Sequence, residues 1–403
     1  MSSLSSLSRV LGAAALLTAC NSQPDKQATT QARRPAPAAT AEAASANPPG
    51  AWYRQYRGLL PGTTDSLTLH LTSIPAEGST DDLPRLYEAY IAPDGEPQDV
   101  AVELTTEADL KPVPEDEDSG PVLRVREDGN ELVGFLGMKP VRLRRVKPVG
   151  SLHFVAHFFT DSVAAFPGKS SSPYAHQTLH VLLPIDGPAP LTAGILRTLR
   201  GDTTDAKPAP VLKQYWQEQQ RSYARDYRAD AADFASTADD STEMPSYALR
   251  YDSQELTYVL WNQAPLLSLG FMDYSYTGGA HGNYGTRVIS FDTRSGRALR
   301  YADIFRAGSE ARLEPILDRA VRRIMHLAPT DKLDETLLVD RIHVTHNVYL
   351  TSGGAMFVYQ PYELASYAQG EIRVYLPFAE LQPLLQPGLP VGAAADVALL
   401  TRK

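Results

Sequence analysis

From residue 51 to residue 148, apolar and polar side chains alternate in short runs. Examples are Ser66-Leu-Thr-Leu-His-Leu-Thr72, Arg85-Leu-Tyr-Glu-Ala-Tyr-Ile91, Glu131-Leu-Val-Gly-Phe-Leu136 and Val141-Arg-Leu-Arg-Arg-Val146. A period of two puts every second side chain on the same face, which is the signature of a half-buried strand. Pro, Gly, Asp or Asn separates each run from the next, as in Ala92-Pro-Asp-Gly95 and Glu127-Asp-Gly-Asn130. Six or seven such strands predict a small antiparallel meander, closed or half closed into a barrel.

The rhythm changes near Lys147-Pro-Val-Gly150. Strands are expected at 152–159 and 176–183, then a helix from Pro190 to Leu199. A stronger helix follows, because Leu212, Tyr215, Trp216, Tyr223, Tyr227, Ala231 and Phe234 recur at helical spacing. Strands are expected next at 246–251, 256–261, 266–276 and 287–292. A helix over 310–327 should bury Leu313, Ile316, Leu317, Ala320, Ile324 and Leu327. Short strands at 344–350, 355–359 and 372–376 and a last helix over 378–385 complete the chain. Strands and helices in mixed order, with hairpins, predict an α+β domain over 149–395, a mostly antiparallel sheet packed by helices.

The first fifty residues carry a different message. Arg9, the apolar run Val10 to Leu17 and Leu17-Thr-Ala-Cys20 read as a lipoprotein export signal over 1–20, with Cys20 as the lipidated residue. The run is too short to span a bilayer as a helix. Residues 21–50, rich in Ala, Pro, Thr, Gln and Ser, lack the apolar surface needed to offset the entropy of ordering, so they read as a disordered tether. Membrane attachment through Cys20 is therefore expected, and Asn21 behind it points to the outer membrane of the cell envelope. Cys20 is the only cysteine, so its acylation leaves neither a disulfide nor a thiol nucleophile. The net charge of −9 argues against a nucleic-acid partner, and Glu115-Asp-Glu-Asp118 reads as solvated loop.

Candidate chemistry centres on Tyr274-Ser-Tyr-Thr-Gly-Gly-Ala-His-Gly-Asn-Tyr-Gly285, where four glycines permit a special turn between two strands. Tyr274, Tyr276, His281 and Tyr284 ring that turn, and Tyr362, Glu363 and Tyr367 of a later excursion could line a groove with it. His281 is either a general base or ligand contact, or a ring that hydrogen-bonds the strand backbone and fixes the turn. Two histidine pairs, His153/His157 and His176/His180, could gather around a metal if their strands were neighbours. Phe154, Ala156 and Phe158 would then form the buried face and leave the histidines outside, and no carboxylate stands at ligand spacing, so no metal or other cofactor is expected. A lone Glu363 lacks the second carboxylate of a glycosidase, and neither a serine nucleophile elbow nor a phosphate-cradling loop occurs.

Four motifs in the same order, Tyr276-Thr-Gly-Gly-Ala-His-Gly282, Ser290-Phe-Asp-Thr-Arg-Ser-Gly296, Ala302-Asp-Ile-Phe305 and Pro361-Tyr-Glu-Leu-Ala-Ser-Tyr-Ala-Gln-Gly370, carry a resemblance. The region resembles the extracytoplasmic domain of unknown function shared by the lysozyme-sensing anti-sigma factor RsiV and the peptidoglycan deacetylase PdaC. The metal-binding Asp-His-His pattern of a polysaccharide deacetylase is not evident. The resemblance implies an envelope domain that, in some relatives, binds a protein or sits beside peptidoglycan. The expectation is a non-enzymatic lipoprotein that binds a wall component or an extracytoplasmic protein such as a lysozyme. The alternative is a glycan-modifying hydrolase or deacetylase using His281 and Glu363.

Overall fold

The computed structural model describes residues 50–74, 85–92, 95–97, 100–114, 121–202, 207–237 and 249–391. Cys20, residues 21–49 of the tether and the acidic run 115–118 lie outside the described residues, as do residues 246–248 of the strand expected at 246–251.

The first eight strands form one curled sheet. They are β1 (Trp52–Leu59), β2 (Ser66–Ser73), β3 (Arg85–Ala92), β4 (Glu96–Pro97), β5 (Ala101–Leu104), β6 (Val122–Asp128), β7 (Glu131–Leu136) and β8 (Lys139–Val146). The order is β4-β3-β2-β1-β8-β7-β6-β5, so the meander folds back and pairs its first strand with its last. One pair departs from the antiparallel expectation: β5 runs parallel to β6. Alternation does what it predicts, since Leu67, Leu69 and Leu71 meet Leu123, Val125, Leu132 and Leu143 in one core.

The second sheet contains β9 (Phe154–Ala164), β10 (Tyr174–Pro184), β11 (Tyr251–Gln263), β12 (Leu266–Thr277), β13 (Asn283–Asp292) and β14 (Ala298–Leu299). Between β10 and β11 the chain crosses over through α1 (Ala189–Leu199) and α2 (Leu212–Thr237), which makes those two strands parallel neighbours. Leu191, Ile195, Tyr215 and Trp216 of these helices bury against Leu179, Val181, Leu267, Leu269 and Phe271. The polar stretch Asp252-Ser-Gln-Glu255 does not end a strand, as its composition suggested. It belongs to β11 and pairs with Asp273 to Tyr276 of β12, where the ribbon runs out to more exposed positions.

A third sheet, β15 (Val348–Leu350), β16 (Gly354–Tyr359) and β17 (Ile372–Pro377), packs Tyr349, Met356 and Val358 against Leu256, Tyr258, Leu260 and Val288 of the second. Its other face is covered by α3 (Tyr301–Ile304), α4 (Glu310–Ile324) and α5 (Phe378–Leu381). Helix α4 buries Leu313, Leu317, Ala320 and Val321, but it ends three residues before the expected Leu327 and leaves Ile324 exposed. The reason is local: the chain turns at Met325 and places His326 at a φ of 54°, so residues beyond Ile324 leave the helical face. No helix among the described residues is long and apolar enough to cross a membrane.

The first sheet is joined to the second by an aromatic box. His70 of β2 lies between Tyr53, Tyr90 and Trp261, with ring centroids 6.1, 5.7 and 5.9 Å away. Tyr53 also meets Phe154 edge-on, and the Tyr90 hydroxyl hydrogen-bonds that of Tyr349 at 3.1 Å.

Candidate functional site

The glycine-rich stretch is the turn of the β12–β13 hairpin. Tyr274 pairs with Tyr284 and Ser275 with Asn283, so residues 278–282 close the ribbon. Gly278 and Gly279 sit at φ 87° and 101°, in the left-handed region that only glycine occupies at little cost. A Cβ at Gly282 would stand 2.5 Å from the Tyr274 ring, so the bare backbone there lets that ring lie on the turn. Tyr276 donates its hydroxyl to the Gly279 carbonyl at 3.0 Å. His281 Nδ1 donates to the Gly282 carbonyl at 2.8 Å, which makes Nε2 an acceptor in the neutral ring.

Two side-chain amides bring the second half of the site to this turn. β14 covers β13 only at Ser290 and Phe291, so the edge of β13 at Thr286 has no neighbouring strand. Gln360 fills the gap: its Oε1 accepts the Thr286 N–H and its Nε2 donates to the Thr286 carbonyl, both at 2.8 Å. Asn347 does the same one step along, accepting from the Val288 N–H and donating to the Thr286 carbonyl at 2.8 Å. Buried backbone groups demand partners, and these amides supply them while fixing the 360–370 excursion beside the hairpin.

The excursion delivers Tyr367. Its ring stacks on His281 at 4.1 Å and 17°, meets Tyr284 edge-on at 5.8 Å and lies 5.9 Å from Tyr362. Tyr362 itself is exposed and holds a φ of 69°, a conformation that strains a bulky non-glycine residue. Burial raises the Tyr274 hydroxyl pKa, with Asp252, Tyr367 and Tyr276 adding to the effect, and pushes Tyr284 up to about 12. His281, Tyr284 and Tyr362 thus meet on the Tyr367 ring, while Tyr274 and Tyr276 lie against the turn itself at Gly282 and Gly279. Tyr367 was expected beside the turn together with Tyr362, but nothing in its spacing marked it as the residue the other rings touch.

Glu363 takes another direction. One carboxylate oxygen accepts from the Gln360 N–H at 2.9 Å, and the other pairs with His343 Nε2 at 3.1 Å. Its contacts and those of His281 are separate. The strands of the two histidine pairs are neighbours, yet the four rings do not gather: His153 pairs with Asp186 at 2.6 Å, and His180 is fully buried, not on an outer face. Burial lowers the His180 pKa to about 4, and nearby His157 adds to the effect.

One ionisable group escaped the sequence reading. Burial pushes Glu255 up to about 7, while its hydrogen bond from Tyr215 at 2.7 Å works the other way and Asp273, its cross-strand partner, adds repulsion. Arg287 reaches Asp273 at 3.4 Å and donates to the Thr198 carbonyl of α1 at 2.7 Å. Only pairing β11 with β12 sets these charges together, on the helix-covered face, away from the aromatic cluster.

Residues 302–379 match the family described as Protein of unknown function (DUF3298), and residues 201–284 match that described as Deacetylase PdaC. Both matches fall within the region whose motifs resemble that extracytoplasmic domain of unknown function. A DUF3298 family member from Bacteroides fragilis NCTC 9343 superposes with a TM-score of 0.52 at 21% identity, over 60% of this chain and 96% of its own. That likeness shows the fold. A DUF3298 family protein from Pseudomonas aeruginosa PAO1 gives a TM-score of 0.42 at 21% identity, over 59% of this chain and 96% of its own. No curated protein matched the sequence. The aromatic cluster draws on both matched segments: Tyr274, Tyr276, His281 and Tyr284 fall in 201–284, Tyr362 and Tyr367 in 302–379.

Proposed function

We propose that the protein is a non-enzymatic binding module of the cell envelope, tied to the outer membrane through acylated Cys20, and that the cluster around Tyr367 is its ligand surface. The observation that carries the reading is the stacked His281–Tyr367 pair flanked by Tyr284 and the exposed Tyr362. Flat aromatic faces with polar tips suit the apolar faces and hydroxyls of wall glycan, and tyrosine presents area at little entropic cost. His281 Nε2 offers an acceptor at the rim. The hydrolase reading loses its carboxylate, because Glu363 is engaged by His343 and the Gln360 backbone.

Sedimentation with purified peptidoglycan, and separately with lysozyme, tests this. Tyr367→Ala should weaken retention on peptidoglycan roughly tenfold, the loss expected of a central aromatic contact. A dissociation constant weaker than about 1 mM for both partners would remove the binding reading. Retention on lysozyme alone would move the ligand from glycan to protein. Turnover of a muropeptide library, abolished by His281→Ala at unchanged melting temperature, would restore the enzyme.

A further inference from the structure

A second surface, on the first sheet and independent of the aromatic cluster, has the makings of an anion site. Arg57 of β1 and Arg144 of β8 are direct cross-strand partners, so two guanidinium side chains leave the sheet side by side. Like charges in that register repel, and the placement costs stability unless something negative sits between them. Arg142, two residues along β8, extends the row, and the side chains of Arg142 and Arg144 are 60% and 77% exposed.

The three arginines line an open cleft of about 640 Å³. Its lining also includes apolar residues: Leu59, Leu60, Pro61, Pro140 and Val141. Leu59 is 64% exposed, an expense of apolar surface that nothing in the sheet requires. The 60–65 loop that forms the rim is held by the Leu60 N–H to the Asp65 carbonyl at 2.9 Å, with Gly62 at a φ of 83° making the bend.

The local charge does not cancel. Among the described residues Glu131 is the one carboxylate engaged: it pairs with Arg142 and, at 3.0 Å, with Arg144. Arg57 spends its Nε on the Thr68 hydroxyl at 3.2 Å, and among the described residues no carboxylate pairs with it. That bond orients the fork and leaves its terminal nitrogens for an incoming group. Three guanidinium groups against one carboxylate leave an excess of positive charge beside an apolar wall.

We propose that this cleft binds a phosphate-bearing amphiphile, the arginines taking the phosphate and the Leu59–Pro61 wall taking the start of the apolar chain. Arginine suits the task because its planar fork meets phosphate oxygens two at a time. Acylation of Cys20 would keep β1, which begins at Trp52, tethered beside phospholipid headgroups.

Calorimetric titration of the full chain with dihexanoyl phosphatidic acid, dihexanoyl phosphatidylcholine and inorganic phosphate tests the proposal. Phosphatidic acid should bind tighter than about 1 mM and roughly tenfold tighter than phosphatidylcholine, with affinity falling as salt rises. The double substitution Arg57→Ala, Arg144→Ala should weaken it roughly tenfold or more while the far-ultraviolet circular dichroism stays unchanged. Glu131→Gln, which removes the competing carboxylate, should tighten it. Inorganic phosphate binding as tightly as the lipid would overturn the amphiphile and leave a free-phosphate site. Equal affinity for the two lipids, or an unchanged constant in both variants, would overturn the site altogether.

Discussion

Tyr367 and Glu255 show how a single side chain acquires its meaning from neighbours far along the chain. Tyr367 makes the ring contacts that unite the hairpin turn with the excursion, so Tyr367→Phe, which keeps the ring, should retain most of the binding that Tyr367→Ala loses. Equal losses in both variants would assign the role to the hydroxyl instead. Glu255 titrates near pH 7 in the folded protein, raised from an ordinary value of 4.5. A carboxyl with a raised folded pKa contributes most below its unfolded pKa, and that contribution is lost as pH climbs from about 4.5 to about 7. Glu255→Gln keeps an acceptor for the Tyr215 hydroxyl and carries no charge. It should therefore raise stability at pH 8 by up to about 3 kcal/mol relative to its effect at pH 4. Urea unfolding at the two pH values measures this, and an equal effect at both would refute the assignment.

At the scale of elements, the decisive joint lies between β13 and the excursion. Gln360 gives Thr286 the two hydrogen bonds that a neighbouring strand would have provided. Gln360→Ala strands a donor and an acceptor at that edge, so it should cost about 1–3 kcal/mol and weaken ligand binding together with stability. Thermal denaturation paired with the peptidoglycan assay separates this from Tyr367→Ala, which should affect binding far more than the melting temperature. The turn Asp292-Thr-Arg-Ser-Gly296 is a second joint: Gly296 has a φ of 76°, and a Cβ there would lie 2.4 Å from the Leu191 backbone nitrogen of α1. Gly296→Ala should destabilise by more than about 1 kcal/mol, because backbone on both sides leaves little room to yield. An unchanged melting temperature would show that α1 can shift away.

Across the whole molecule, the three sheets are bound into one body by rings and hydroxyls at their junctions. Burial lowers the His70 pKa from 6.5 to about 3, with nearby Arg57 adding to the effect, so the ring is neutral between Tyr53, Tyr90 and Trp261. For a histidine with a depressed folded pKa, the stabilising contribution is complete above 6.5 and is lost as pH falls toward 3. Stability should drop by about 1.4 kcal/mol per pH unit in that window. His70→Gln should flatten that slope. Because the first sheet shares this box with the second, calorimetry should show one cooperative transition. Two separated transitions would mean the box is not what couples them.

The alternating runs from 51 to 148, the helical stripe from Leu212 to Phe234 and the glycine turn before Asn283 were legible because each depends on local periodicity or on a φ that only glycine tolerates. Helix ends and the unbroken length of β11 were less so, since a polar run such as Asp252 to Glu255 reads alike in a loop and at the exposed end of a long strand. The convergence of His281, Tyr284 and Tyr362 on Tyr367, the buried surroundings of Glu255, the burial of His180 and the facing arginines on β1 and β8 were decided by tertiary structure. Each depends on which strands lie side by side and what covers them, and pairing between residues eighty positions apart leaves no periodic trace in the chain that encodes it.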